Sequence, residues 1–179
     1  MVRAALLIID VQNDFCPGGS LPVPEGDQVV LILNQWIAEF TGLIVASRDW
    51  HPPDHISFRE RGGDWPPHCI QNTPGAAFHP NLHLPANTLV ISKGTQSDFD
   101  QYSAFDRTNL AEALRERGIN RVWVGGLAQD ICVRATGLAA LGEGFETHVI
   151  RSATRAINSR PGDGELALAE MARAGAIIE

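Results

Sequence analysis

Lysine is almost absent from this sequence of 179 residues, because 13 of its 14 basic residues are arginines and Lys93 is the one lysine. The net charge is −7. We find no basic patch of the kind that binds nucleic acid or an anionic membrane surface. No apolar run approaches the roughly 20 residues of a membrane-spanning helix. The charge and the short apolar runs argue against nucleic acid and membranes as partners. The scarcity of lysine makes Lys93 a candidate for a specific role.

Cysteine is also scarce. The three cysteines, Cys16, Cys69 and Cys132, are an odd number without paired spacing, so we expect free thiols. The apolar stretch at residues 4–9 stops at Asp10 and is too short for a secretory signal. We therefore expect no signal peptide and a cytoplasmic location, where thiols are kept reduced.

Short apolar segments alternate with helical segments along the chain. The predicted strands are residues 4–10, 42–47, 87–92, 121–126, 146–151 and 175–179. The predicted helices are residues 27–40, 110–117, about 130–142 and 164–174. Such apolar strands, separated by helices, predict a parallel sheet covered on both faces. With right-handed crossovers this is a doubly wound, three-layer α/β fold, which we expect to form one domain over residues 1–179.

A reactive side chain follows each of the first four predicted strands. Asp10 ends the first and Asp49 follows the second. Lys93 follows the third, and Cys132 opens the helix after the fourth, with Asp130 as its candidate N-cap. Parallel strands of an open α/β sheet bind ligands at their carboxyl ends, so we expect a site there. If the first and fourth strands are neighbours, Asp10 and Cys132 face each other at this site, and Lys93 would supply a counter-charge. A thiol in the first helical turn is a candidate nucleophile, and the alternative is a small buried residue that only packs.

The second group lies in a long loop of about residues 49–86, rich in proline, histidine and tryptophan. Asp49 and His51 are two residues apart in extended chain, so their side chains point to one side. His68 can complete a set of two histidines and one carboxylate, which suits one divalent ion of zinc, iron or manganese. Further candidate ligands, directly or through water, are His55 and Ser57.

Taken together, these residues resemble the nicotinamidase/pyrazinamidase group of the isochorismatase-like cysteine hydrolases. The similarity covers most of the chain, from "LIIDVQNDFCPGGSLPV" through "ASRDWHPPDHISF", "WPPHCIQNTPGAAFHP" and "SKGT" to "VGGLAQDICV". The resemblance implies a six-stranded parallel sheet in the order 3-2-1-4-5-6. It also implies hydrolysis of nicotinamide, and of pyrazinamide, to the acid and ammonia through a thioester, with a role in NAD salvage.

The resemblance further implies what individual residues do. The catalytic aspartate, lysine and cysteine of the family fall on Asp10, Lys93 and Cys132. Its metal-binding aspartate and histidines fall on Asp49, His51 and His68. A cis peptide bond is implied between Leu127 and Ala128, with the N–H groups of Ala128 and Cys132 as the oxyanion hole. The residues expected to wall the substrate ring are Phe15, Trp65 and Tyr102.

Two positions depart from the family pattern and leave the substrate open. Gln129 replaces a threonine or similar small residue, and Ser152 stands where an aspartate usually follows the fifth strand. One alternative is hydrolysis of another amide or a ureido compound. Others are a non-heme iron oxygenase, which gives Cys132 and Lys93 no role, and a ligand-binding domain without turnover. A homo-oligomer also stays open.

Overall fold

In the computed structural model, which describes residues 3–179, six strands form one parallel sheet in the order β3-β2-β1-β4-β5-β6. The strands are β1 (Ala4–Ile9), β2 (Leu43–Asp49), β3 (Leu89–Lys93), β4 (Arg121–Leu127), β5 (Glu146–Arg155) and β6 (Ile177–Ile178). The helices are α1 (Gln28–Glu39), α2 (Leu110–Glu116), α3 (Arg134–Gly142) and α4 (Asp163–Ala174). The predicted fold class and strand order are confirmed.

Both faces of the sheet are covered, as the apolar strands predict. In β1 the side chains of Ala5, Leu7 and Ile9 pack in the cluster formed with α2, α3 and α4. Leu6 and Ile8 pack on the opposite face, with α1 and the long loop after β2. All five are at most 1% exposed, which is why the strand shows no alternation of polar and apolar residues. No helix among residues 3–179 is long and apolar enough to cross a membrane.

The fifth strand is longer than its apolar segment indicates. The structure extends β5 to Arg155, where its end pairs with the end of β4 beyond a register shift between Val124 and Gly126. Ser152 therefore lies within the strand and is exposed, so its prediction as a residue after the strand is wrong. The apolar pattern did not predict this extension, because residues 151–155 are mostly polar.

The turn after β4 also differs from the prediction. A single π-helical turn, Gln129–Val133, precedes α3, and π turns of this kind are frequent at functional sites. The prediction of Asp130 as N-cap is wrong, because its carboxylate accepts hydrogen bonds from the N–H groups of Ile157 and Asn158 instead. The cis bond expected between Leu127 and Ala128 is confirmed.

Candidate active site

Four side chains converge at the carboxyl ends of the central strands. Asp10 follows β1, while Asp49 and Lys93 are the last residues of β2 and β3 and are cross-strand partners. Cys132 lies in the π turn after β4, the strand that pairs with β1. The convergence expected from the sequence is therefore present, and it depends on β1 standing at the centre of the sheet.

Lys93 is the centre of this cluster. Its Nζ atom lies 2.7 Å from Asp10 Oδ2, 2.5 Å from Asp49 Oδ1 and 3.5 Å from Cys132 Sγ. The lysine and Asp10 are fully buried. The sequence predicted the contacts with Asp10 and Cys132 but missed the contact with Asp49. The register of β2 and β3 carries that signal, since it places Asp49 opposite Lys93.

The buried charged groups shift one another's pKa values. Burial opposes the charge of Lys93, but the carboxylates of Asp10 and Asp49 outweigh it and raise the pKa of Lys93 well above its usual range. Burial raises the pKa of Asp10, and Lys93 offsets part of that rise. Burial likewise raises the pKa of the Cys132 thiol well above its usual value, with Lys93 again opposing. A carboxylate of raised pKa beside a protonated thiol is a suitable general base.

The backbone and one hydroxyl orient Asp10. Its φ of 49° is left-handed, a conformation that aspartate tolerates better than most residues. The hydroxyl of Ser47, in β2, donates to Asp10 Oδ1 at 2.7 Å. With Oδ1 held in this way, Oδ2 is the oxygen that faces Lys93.

Beside this cluster, Asp49, His51 and His68 form a group whose ligand atoms all lie within 4.8 Å of one another. Asp49 Oδ2 is 3.4 Å from His51 Nε2 and 3.7 Å from His68 Nε2. Each Nδ1 atom is 2.8 Å from a backbone carbonyl, of Gly94 for His51 and of Pro66 for His68. Donation to these carbonyls leaves both Nε2 lone pairs available, and such a donor set fits a divalent metal ion.

Gly94 belongs to the "SKGT" stretch, and its place explains why a glycine is present there. Its φ is +60°, and a Cβ atom at this position would lie 2.4 Å from His51 Cε1. Only glycine allows the carbonyl at position 94 to approach His51 this closely.

The other two candidate ligands are paired with each other. The Ser57 hydroxyl lies 2.7 Å from His55 Nδ1, and His55 Nε2 lies 2.7 Å from the carbonyl of Phe99. Burial, with His51 beside it, lowers the pKa of His55, in keeping with a neutral ring. The His55 ring stacks on His51 at 4.0 Å. The ring nitrogens of His55 and the hydroxyl of Ser57 therefore already have hydrogen-bond partners within the protein. His55 supports the candidate metal ligand His51 by stacking on its ring.

One cavity joins the thiol to the histidine group. Phe15, Trp65 and Tyr102 all line it, as expected, and Trp65 Nε1 donates to the Tyr102 hydroxyl at 3.1 Å. Ala128 and Cys132, the residues expected to supply the oxyanion hole, line the same cavity. The lining residues that the sequence did not reveal include Leu21, Ile131 and Ile157.

The chain is similar to known proteins over its whole length. The family model of the isochorismatase domain matches residues 4–179. The nicotinamidase of Escherichia coli is 40% identical, over 99% of this chain and 95% of the relative. A crystal structure of the pyrazinamidase of Pyrococcus horikoshii in complex with zinc is 50% identical, with a TM-score of 0.95 over 99% of this chain and 98% of that chain. PnC1 from L. infantum, in complex with nicotinate, is 36% identical with a TM-score of 0.92, over 99% and 92%.

Proposed function

Because the chain belongs to the isochorismatase family, in which its named relatives are amidohydrolases, we propose that this amidohydrolase converts nicotinamide to nicotinic acid and ammonia, with pyrazinamide as a second substrate. The single observation that carries the proposal is one cavity lined by both Cys132 and the Asp49–His51–His68 group. A thiol at one side and a cation site at the other match a pyridine ring that carries a carboxamide.

We propose that Cys132 is the nucleophile, Asp10 the general base and Lys93 the counter-charge. Asp10 takes the thiol proton and becomes neutral, and the ammonium of Lys93 stabilises the thiolate that forms. The sulfur attacks the carboxamide carbon and forms a thioester, while Asp10 returns the proton to the leaving ammonia. A water molecule that gives its proton to Asp10 then hydrolyses the thioester.

The oxyanion of each tetrahedral intermediate would be held by the backbone N–H groups of Ala128 and Cys132. Such preorganised donors are worth about 3–4 kcal/mol each in other enzymes. This assignment is supported by the position of Ala128 and Cys132, which both line the cavity.

Asp49, His51 and His68 would hold one divalent ion of zinc, iron or manganese, which when bound supplies a positive charge that anchors the pyridine nitrogen and orients the amide. Phe15, Trp65 and Tyr102 would pack against the ring. The cytoplasmic location and the role in NAD salvage are part of the same proposal.

The test is ammonia release from nicotinamide, measured on protein whose metal content has been determined. Saturable release with nicotinamide and pyrazinamide supports the proposal. Absence of release from both, together with cleavage of another amide or a ureido compound, selects the alternative within the same family. A requirement for oxygen would select an oxygenase, and binding without turnover would select a ligand-binding domain.

A further inference from the structure

Two consecutive side chains of the π turn, Gln129 and Asp130, form hydrogen bonds with the end of β5 and with the chain that follows it. Asp130 Oδ1 accepts the N–H of Ile157 at 2.9 Å, and Oδ2 accepts the N–H of Asn158 at 2.8 Å. Gln129 Oε1 accepts the hydroxyl of Thr154 at 2.6 Å. Asp130 is only 9% exposed, and the two backbone donors compensate the burial of its charge. The turn that holds the nucleophile is thereby fastened to residues 154–158.

Residues 154–158 also form a hydrogen bond with the first turn of α4. Asn158 Oδ1 accepts the N–H of Gly164 at 2.8 Å. A Cβ atom at Gly164 would lie 2.7 Å from the Cβ of Ala156 and 2.9 Å from Gln129 Nε2, so only glycine permits this approach. Residues 154–158 are therefore held between the π turn and α4.

This fastening places one side chain in the active-site cavity. Among the described residues that line the cavity, Ile157 alone follows Cys132 in the chain. Ile131 and Ile157 pack against the apolar cluster that contains Ala128 and give this part of the lining an apolar wall, whereas Asp49, His51 and His68 contribute polar groups to the lining. An apolar wall offers a ring substituent no hydrogen bond and limits the substituent by size alone.

We propose that Gln129 and Asp130 are positioning residues that hold Ile157 against the substrate ring, and that Ile157 determines which ring-substituted nicotinamides the cavity accepts. The inference rests on the proposed function and deepens it. It also gives a role to Gln129, whose side chain accepts a hydrogen bond from the Thr154 hydroxyl.

The test compares Ile157→Ala with Asp130→Asn, using nicotinamide and a ring-methylated nicotinamide. Both variants should raise KM for nicotinamide about tenfold with a smaller change in kcat, since one lost apolar contact is worth about 10–200-fold in selectivity. Both should also lower the ratio of kcat/KM for nicotinamide to kcat/KM for the methylated amide. In the double variant the effects should fall short of the product of the single effects, because both act through one wall.

Two further variants complete the design. Thr154→Val removes the hydroxyl that donates to Gln129 and that also lies 3.0 Å from the Arg151 carbonyl, and it should give a weaker form of the same change. Arg134→Gln is the matched control, because it breaks an ion pair between α3 and Glu170 of α4 outside the cavity and should leave KM unchanged.

Amide hydrogen exchange tests the hydrogen bonds from residues 157 and 158 to Asp130 without any substrate. In Asp130→Asn the amides of Ile157 and Asn158 should exchange at least about tenfold faster than in the wild type, because their acceptors are lost or weakened. Unchanged exchange, or a KM and preference equal to the wild type in Ile157→Ala, would overturn the inference. Failure of the wild type to hydrolyse nicotinamide would instead refute the proposed function, and the exchange measurement would still decide whether the fastening exists.

Discussion

Lys93 Nζ lies 2.5 Å from Asp49 Oδ1, so one buried ammonium joins the carboxylate that faces the histidines to the pair formed by Asp10 and Cys132. Asp49 thus has one oxygen for each neighbour, Oδ1 for Lys93 and Oδ2 for the histidines. Although burial opposes its ionisation, Lys93 and the histidines hold the pKa of Asp49 well below its usual range. The only lysine of the sequence therefore serves two carboxylates and a thiol.

Lys93→Arg should fold and bind metal, but should lose most of its kcat, by about 100-fold or more, a loss similar to that of one preorganised donor. The planar guanidinium needs more room than the ammonium and cannot reach the three partners at the same distances. Steady-state kinetics, circular dichroism and metal content measure these effects. Near wild-type turnover of Lys93→Arg would mean that Lys93 acts only as a positive charge, which arginine can also supply.

Lys93→Ala should lose as much activity and should also lose stability. Asp10 and Asp49 would be left buried without a cation, which costs about 3–5 kcal/mol when one partner of a buried pair is removed. Chemical denaturation measures the free energy of unfolding. Equal stability of Lys93→Ala and the wild type would contradict this account of the cluster.

Ser47→Ala should move the acidic limb of the kcat/KM profile to higher pH. The Ser47 hydroxyl favours the ionised form of Asp10, so its removal raises the pKa of Asp10 further above its usual value. Since the base must be ionised to accept the thiol proton, activity then falls at a higher pH than in the wild type. Ser47→Thr keeps the hydroxyl and is the matched control, and an identical shift in both variants would be against the prediction.

Several of these contacts could be predicted from the sequence and others could not. Asp10, Lys93 and Cys132 could be placed together because parallel strands end at one edge of a sheet. The Asp49–Lys93 contact was missed because Asp49 was assigned to the metal group alone. Ile157 was missed for a different reason, since the polar residues around it show no periodicity and its position depends on contacts with the distant Asp130.

A stoichiometric alkylating agent should label Cys132 before Cys16 and Cys69. Burial raises the pKa of Cys16 to about 11 and that of Cys69 well above its usual value, and neither thiol lines the active-site cavity. The pKa of Cys132 is raised too, but Asp10 stands beside it as a base and the cavity gives access. Peptide mass spectrometry identifies the labelled residue, and first labelling of Cys16 or Cys69 would count against the assignment.

His51→Ala should lower metal affinity by at least about 100-fold and raise KM for nicotinamide, without unfolding the domain. His83→Ala is the matched control, because His83 is exposed and only its backbone N–H is engaged, with Asn34. Metal analysis and steady-state kinetics decide the outcome. If metal-free protein kept wild-type kcat and KM, the histidine group would not serve substrate binding.

The central claim is that Cys132 forms a covalent bond with the substrate, and Cys132→Ala tests it most directly. Ammonia release from nicotinamide is measured for the wild type and the variant at equal metal content, together with the intact mass of acid-quenched wild-type protein during turnover. We predict that the wild type releases ammonia and carries a nicotinoyl group on Cys132, and that Cys132→Ala binds metal but releases no ammonia. Ammonia release by Cys132→Ala at the wild-type rate would contradict the account.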